Sequence, residues 1–151
     1  MRVIHPVAGT IALLCICAFW LSTAAAEAFG THAMIVAVKT AIPWGFIILI
    51  PALASAGMSG VRLTKNKGSV LARGKLRRMP FIALNGLLIL IPSALYLASA
   101  ARAGSFDNAF IAVQSIELIA GAVNIALLGL NFRDGLRLGK RLSIAPRETQ
   151  S

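Results

Sequence analysis

Charged residues, and acidic ones above all, are scarce in this chain. Only 13% of its 151 residues are charged, and 5 Asp and Glu stand against 15 Lys and Arg, which gives a formal net charge of +10. Soluble domains carry about 25% charged residues, so this composition excludes a soluble domain. Disorder is excluded because 58% of the residues are hydrophobic, whereas disordered chains are poor in them. With a mean hydropathy of +0.80, the chain is expected to fold in a lipid bilayer.

Cysteine and histidine are also rare, with two residues of each type. Cys15 and Cys17 are two positions apart, which on a helix turns them about 200° from each other, and the spacing is not that of thiol-disulfide exchange. His5 and His32 are expected at opposite membrane surfaces, so one haem cannot join them, and no metal site is predicted. No cofactor is predicted either, although a haem b held by His5 and Met79 stays open as an alternative.

Four apolar runs are each long enough to cross a bilayer, which takes about 20 helical residues. Backbone amides must be paired inside lipid, and the runs are too long for barrel strands, so helices are expected. The sequence therefore predicts an all-α integral membrane four-helix bundle, made of two helical hairpins, over residues 1–131. A basic juxtamembrane helix and tail is expected over residues 132–151. The predicted spans are 6–28, 33–56, 80–101 and 109–130.

The cations predict the orientation, since Lys and Arg in short loops resist translocation. With the N-terminus inside, all of the 15 Lys and Arg residues except Lys39 and Arg102 lie at the inner surface or in the segments attached to it. We therefore expect a multi-pass protein of a bacterial inner membrane with both termini cytoplasmic. The basic surface is expected to attract anionic lipid rather than nucleic acid. Cleavage of the first span as a signal peptide, near Ala24 to Ala28, stays an alternative.

Two ionisable residues lie inside the predicted spans, where a charge costs about 2.5–3.5 kcal/mol and normally faces a partner or a cavity. Counting ~1.5 Å per residue from the outer ends, Lys39 lies ~9 Å deep and Glu117 ~13 Å deep. We expect an ion pair between the second and fourth spans. Tyr96 and Gln114 are at the same level, so the sequence predicts an intramembrane polar cluster of these four residues.

A second polar contact is predicted nearer the inner surface. Asn124 shares the helical stripe of Gln114 and Glu117 on the fourth span. On the third span, Asn85, Ile89, Pro92 and Tyr96 form a comparable stripe. Since Asn85 and Asn124 both lie ~8–9 Å from the inner surface, we expect a hydrogen bond between them, an inner polar latch.

The segments Val38–Gly45 and Arg78–Gly86 resemble stretches of small uncharacterised four-span bacterial inner-membrane proteins. This resemblance implies a fold and a location but no activity. The sequence favours a non-enzymatic protein with a polar intramembrane site, either transporter-like or an accessory subunit of a membrane complex. The expected partner is another protein of such a complex or a second copy of the chain. A haem-anchoring or quinone-linked electron-transfer protein is the alternative.

Overall fold

A computed structural model describes the backbone of residues 4–65 and 70–144, and the side chains of residues 5–60 and 78–137. Throughout these residues the regular structure is helical. Helices α3 and α4 are joined by the π-helix into one continuous rod. The elements are α1 (Ile4–Phe29), α2 (His32–Lys65), α3 (Val70–Asn85), a π-helix (Gly86–Leu90), α4 (Ile91–Arg102) and α5 (Asn108–Ile144).

Four helical stretches in the described part of the chain are long and apolar enough to cross a membrane, as the sequence predicts. Their mean hydropathies lie between 1.8 and 2.1. Each is longer than the predicted span, because the helices continue past the apolar core into their polar flanks. The basic segment expected from residue 132 onward continues α5 without a break to Ile144, and residues 145–151 lie outside the described residues. The four stretches are His5–Phe29, His32–Gly60, Arg78–Arg102 and Asn108–Arg137.

Two short turns at one end of the bundle are fixed by local hydrogen bonds. After α1 the Gly30 N–H donates to the Ala26 carbonyl, and the Thr31 hydroxyl accepts from the first turn of α2. After α4 the chain turns at Gly104, whose φ of +70 favours glycine. The Asp107 carboxylate then caps α5 by accepting from the Phe110 N–H at 2.9 Å. We call this end the short-turn end.

The opposite end carries the cations Arg78, Arg133 and Arg137, and we call it the basic end. Two buried apolar clusters lie between the ends. The cluster towards the short-turn end contains Ala26, Ile35, Leu97, Ala101 and Phe110, and the cluster towards the basic end contains Ala12, Ile16, Leu49 and Ala52. Alanine at these contacts lets the helix backbones approach closely.

The outward faces of the helices are as apolar as the interior. Leu14, Trp44 and Ile119 are each more than 60% exposed. A soluble monomer rarely exposes contiguous apolar surface of this extent, and helices that are hydrophobic all round are typical of membrane spans. The fold therefore fits a multi-pass membrane protein.

The rod made of α3 and α4 contains one wide turn. Within the π-helix the Ile91 N–H donates to the Gly86 carbonyl, five residues back rather than four. Pro92 follows immediately, and proline cannot donate to the regular helical ladder. The wide turn accommodates one residue more than an α-helical turn, which moves the inward face of α4 by one position.

Candidate functional site

Lys39 on α2 and Glu117 on α5 form an ion pair inside the bundle. The Lys39 Nζ lies 2.5 Å from the Glu117 Oε2. The Lys39 side chain is 1% exposed and the Glu117 side chain is 11% exposed. The pair lies between the two apolar clusters, on two helices that both run from the short-turn end to the basic end.

Gln114 contacts the same carboxylate oxygen, since its Nε2 donates to the Glu117 Oε2 at 3.4 Å. The Glu117 Oε2 is therefore bound from two sides. The other oxygen, Oε1, makes no hydrogen bond with any described residue. The Gln114 Oε1 is buried without a partner in the described part of the chain. The site thus keeps two acceptors that no group of the described residues fills.

A cavity of about 60 Å³ adjoins the ion pair, and Glu117 forms part of its wall. The Trp20 indole closes one side, because its Nε1 donates to the Leu118 carbonyl at 2.8 Å. Gly121 lets this ring approach α5, since a Cβ there would lie 2.8 Å from the Trp20 Cδ1. The cavity lining is otherwise mostly apolar: Ile16, Phe19, Trp20, Thr23, Ile42, Phe46, Leu49, Leu90, Ala94, Leu118 and Gly121.

Tyr96 does not join this cluster. It is 43% exposed and makes no hydrogen bond to Lys39, Gln114 or Glu117. An unbroken helical period from Asn85 brings position 96 to the inner face, but the extra residue of the π-helix rotates it away. Leu97, fully buried, takes the inward position.

The predicted contact between Asn85 and Asn124 is also replaced by another one. The Asn85 Nδ2 donates to the Ala120 backbone carbonyl on α5 at 2.8 Å. Asn124 is 1% exposed, and neither its Nδ2 nor its Oδ1 has a partner among the described residues. The two helices are still linked at this level, but Asn124 remains a buried amide without a protein partner.

A second ion pair, between a half-buried arginine and a buried aspartate, lies at the basic end, and the sequence analysis does not predict it. The Arg78 Nη1 donates to the Asp134 Oδ2 at 2.8 Å, and the Asp134 side chain is 7% exposed. Arg78 was assigned only to the basic loop, and Asp134 lies beyond the predicted fourth span. One signal could have found it: Asp134 is three residues after Asn131 and continues the polar stripe of α5.

His5 and Met79, the weak haem candidates, both approach Gly60. A Cβ at Gly60 would contact the Met79 methyl group and would lie 3.0 Å from the His5 Cε1. The His5 Nδ1 is 2.9 Å from the Ala56 carbonyl and 3.1 Å from the Ser59 hydroxyl. No group of three or more His, Cys, Asp or Glu residues gathers in a metal-binding arrangement among the described residues.

No protein-family model, curated protein or solved structure matches this chain. The class is therefore defined by the fold and the site alone: an all-helical chain with four helices able to span a membrane and a buried ion pair beside an internal cavity.

Proposed function

We propose that this chain is a non-enzymatic, transporter-like protein of a bacterial inner membrane, which binds a small solute at Glu117 inside the bilayer. Both termini are cytoplasmic in this proposal, and the basic end contacts anionic lipid headgroups. The observation that carries the proposal is that the two oxygens of the Glu117 carboxylate differ in their hydrogen bonds. The Glu117 Oε2 holds Lys39 and Gln114, while Oε1 makes no bond with the described residues and the side chain lines a cavity.

A structural ion pair needs no adjoining space. A buried carboxylate is stabilised when further hydrogen bonds satisfy its remaining lone pairs, and here one oxygen is left for a ligand that donates a hydrogen bond. The Lys39 ammonium keeps the site neutral overall, so an incoming neutral donor or a proton does not meet an isolated anion. The alternative is an accessory subunit that binds a complex partner or a second copy of the chain. In that case the ion pair only links α2 to α5.

The cavity volume limits the size of the solute. A cavity that holds benzene measures about 150 Å³, whereas one water molecule occupies about 30 Å³ of liquid. The 60 Å³ beside Glu117 is less than half of the benzene-binding volume, so this space favours a solute smaller than a ring. The solute class is a proton or a neutral donor of one or two heavy atoms, such as ammonia.

Proteoliposomes that enclose a pH-sensitive dye test this proposal, because entry of protons acidifies the lumen and entry of ammonia makes it alkaline. We expect the protein to accelerate one of these changes at least tenfold over protein-free vesicles. Glu117→Gln should remove the acceleration. Ser115→Ala is the matched control, since Ser115 is exposed on the same helix and its hydroxyl binds only the Ile111 carbonyl. Retention of the full rate in Glu117→Gln would refute the proposal.

One observation favours the haem-anchoring alternative, namely the contact of His5 and Met79 with the same glycine. If this alternative is correct, protein purified from haem-replete cells shows a Soret band that His5→Ala removes. A featureless visible spectrum refutes it.

A further inference from the structure

Three amide side chains along α5 are buried with polar atoms that no described residue satisfies. They are Gln114 at Oε1, Asn124 at both amide atoms and Asn131 at Oδ1. Each is at most 7% exposed. An unpaired amide in an apolar interior is unfavourable, and buried water is the usual partner of such groups. A second protein chain or a lipid headgroup cannot reach an amide that is 1% exposed, such as Asn124, so the partner that fits this site is a small internal molecule.

These amides share one face of α5 with both ion pairs. Glu117 lies between Gln114 and Asn124, and Asp134 follows Asn131 at the basic end. From residue 114 to residue 134 the helix rises about 30 Å, which equals the hydrocarbon thickness of a bilayer. The interior of the bundle therefore presents a line of polar groups from one side of the apolar region to the other.

The cavity beside Glu117 reaches one helical turn along α5 in the direction of Asn124, as far as Gly121. Glu117 and Asn124 are seven residues, or about 10 Å, apart along the helix. Gly121 lies between them on the same face, and the Trp20 ring packs against it. Gly121 and Glu117 both line the 60 Å³ cavity, which has room for water. Leu90, the last residue of the π-helix, forms part of the same wall.

We infer that Asn124 is an internal water-binding site that connects the Glu117 cavity to the basic end, and that the solute exchanged at Glu117 is a proton carried by this water. This inference rests on the proposed function and names its solute. Asn124 acts as a positioning residue for water, while Glu117 accepts the proton.

The ion pair can pass one proton without retaining a net charge. A hydronium ion that reaches the Glu117 Oε1 from the Asn124 side gives up one proton and becomes water, and the new O–H bond makes the side chain a neutral acid. The Lys39 ammonium loses one N–H proton to water held by the Gln114 Oε1, and becomes a neutral amine. The carboxyl group then turns, its O–H bond breaks, and the proton forms a new N–H bond on Lys39. One proton has entered from the Asn124 side, one has left on the Gln114 side, and the original pair is restored.

The first test measures proton flux into dye-loaded proteoliposomes under a potassium diffusion potential. Asn124→Leu keeps the size of the side chain but removes both polar atoms, so we expect the rate to fall at least tenfold. Asn124→Ser leaves a hydroxyl and room for water, so its rate should stay within about threefold of the unchanged protein. Val123→Leu, a change at the exposed neighbour, is the matched control and should leave the rate unchanged. A fully active Asn124→Leu would overturn the inference.

A second measurement detects the water directly and does not depend on flux. Protein labelled with ¹⁵N only in asparagine is studied by NMR in micelles, with the Asn124 signal assigned from the Asn124→Ser variant. We expect magnetisation transfer from water to the Asn124 side-chain amide, and a weaker transfer to Asn85, whose amide is bound to the Ala120 carbonyl. No transfer to Asn124 overturns the inference even if protons flow.

The two measurements together separate the inference from the proposed function. Flux that is lost in Glu117→Gln but unchanged in Asn124→Leu supports the function and refutes the route. Water at Asn124 without any proton flux supports the water site and refutes the proton as the solute. Ammonia flux through Glu117 without proton flux likewise keeps the proposed function and overturns the inference about its solute.

Discussion

Replacing both members of the Lys39–Glu117 pair should harm the protein less than the two single changes predict together. At 2.5 Å the attraction between two unit charges is about 7 kcal/mol for an effective dielectric constant of ~20. Desolvation offsets several kcal/mol for each buried ion, so the net gain from the pair is small. Removing only one partner leaves a buried, unpaired charge, which costs about 3–5 kcal/mol.

The variants are Lys39→Met, which keeps most of the side-chain volume, Glu117→Gln, and the combination of the two. In a chain of about 150 residues, each kcal/mol moves the Tm by ~2–4 °C, so each single change should lower the Tm by about 6–20 °C. The combined change leaves no unpaired charge and should recover at least half of the summed loss. Thermal unfolding of the purified variants in one detergent measures all three.

Ser115→Ala should shift the Tm by less than about 2 °C, because an exposed position away from the pair contributes little. Additive losses in the combined variant would refute the coupling and with it the description of the site as one unit. The combined variant also separates the two roles of the pair. A link between helices predicts that function returns with stability, whereas a proton-handling site predicts a stable protein without flux.

Two further predictions concern packing and orientation. Gly121→Ala should lower the Tm, because the new Cβ meets the Trp20 ring at 2.8 Å and overpacking costs about 1–3 kcal/mol; Gly9→Ala, with nothing within 4 Å of the new Cβ, should not lower it. A reporter fused after Ser151 should be cytoplasmic and one inserted at Ser105 periplasmic, and a periplasmic reporter after Ser151 would contradict the proposed orientation.

The helices and the level of the ion pair follow from quantities that a sequence contains. Span length and hydropathy require no knowledge of packing. Depth requires only the rise per residue, and this was enough to put Lys39 and Glu117 at matching levels on two helices. The high cost of an unpaired charge in an apolar medium then made a contact between them the expected arrangement.

The partners within a level could not be derived in the same way, because they depend on helix rotation. The prediction put Tyr96 in the interior because it assumed 3.6 residues per turn throughout the third span. The π-helix adds one residue to a turn, so residues after it face a different direction. The contact of Asn85 with the Ala120 carbonyl could not be predicted, because the pattern of side chains in a sequence does not show which backbone acceptors are within reach. Arg78 and Asp134 were separated in the prediction, since a basic loop and the end of a span were treated as different environments.

The π-helix also has a consequence for how this sequence can change length. The rod from Val70 to Arg102 contains one residue more than a regular helix would need to present the same faces at both ends. Deleting an exposed residue of the wide turn, such as Leu88, would therefore give an ordinary α-helix with Ile82 and Leu97 still directed inward. Closing the same turn without a deletion would rotate α4 by about 100° and exchange Leu97 for Tyr96 beside the Lys39 level. The one wide turn therefore determines that the bundle has an apolar rather than a phenolic lining at this level.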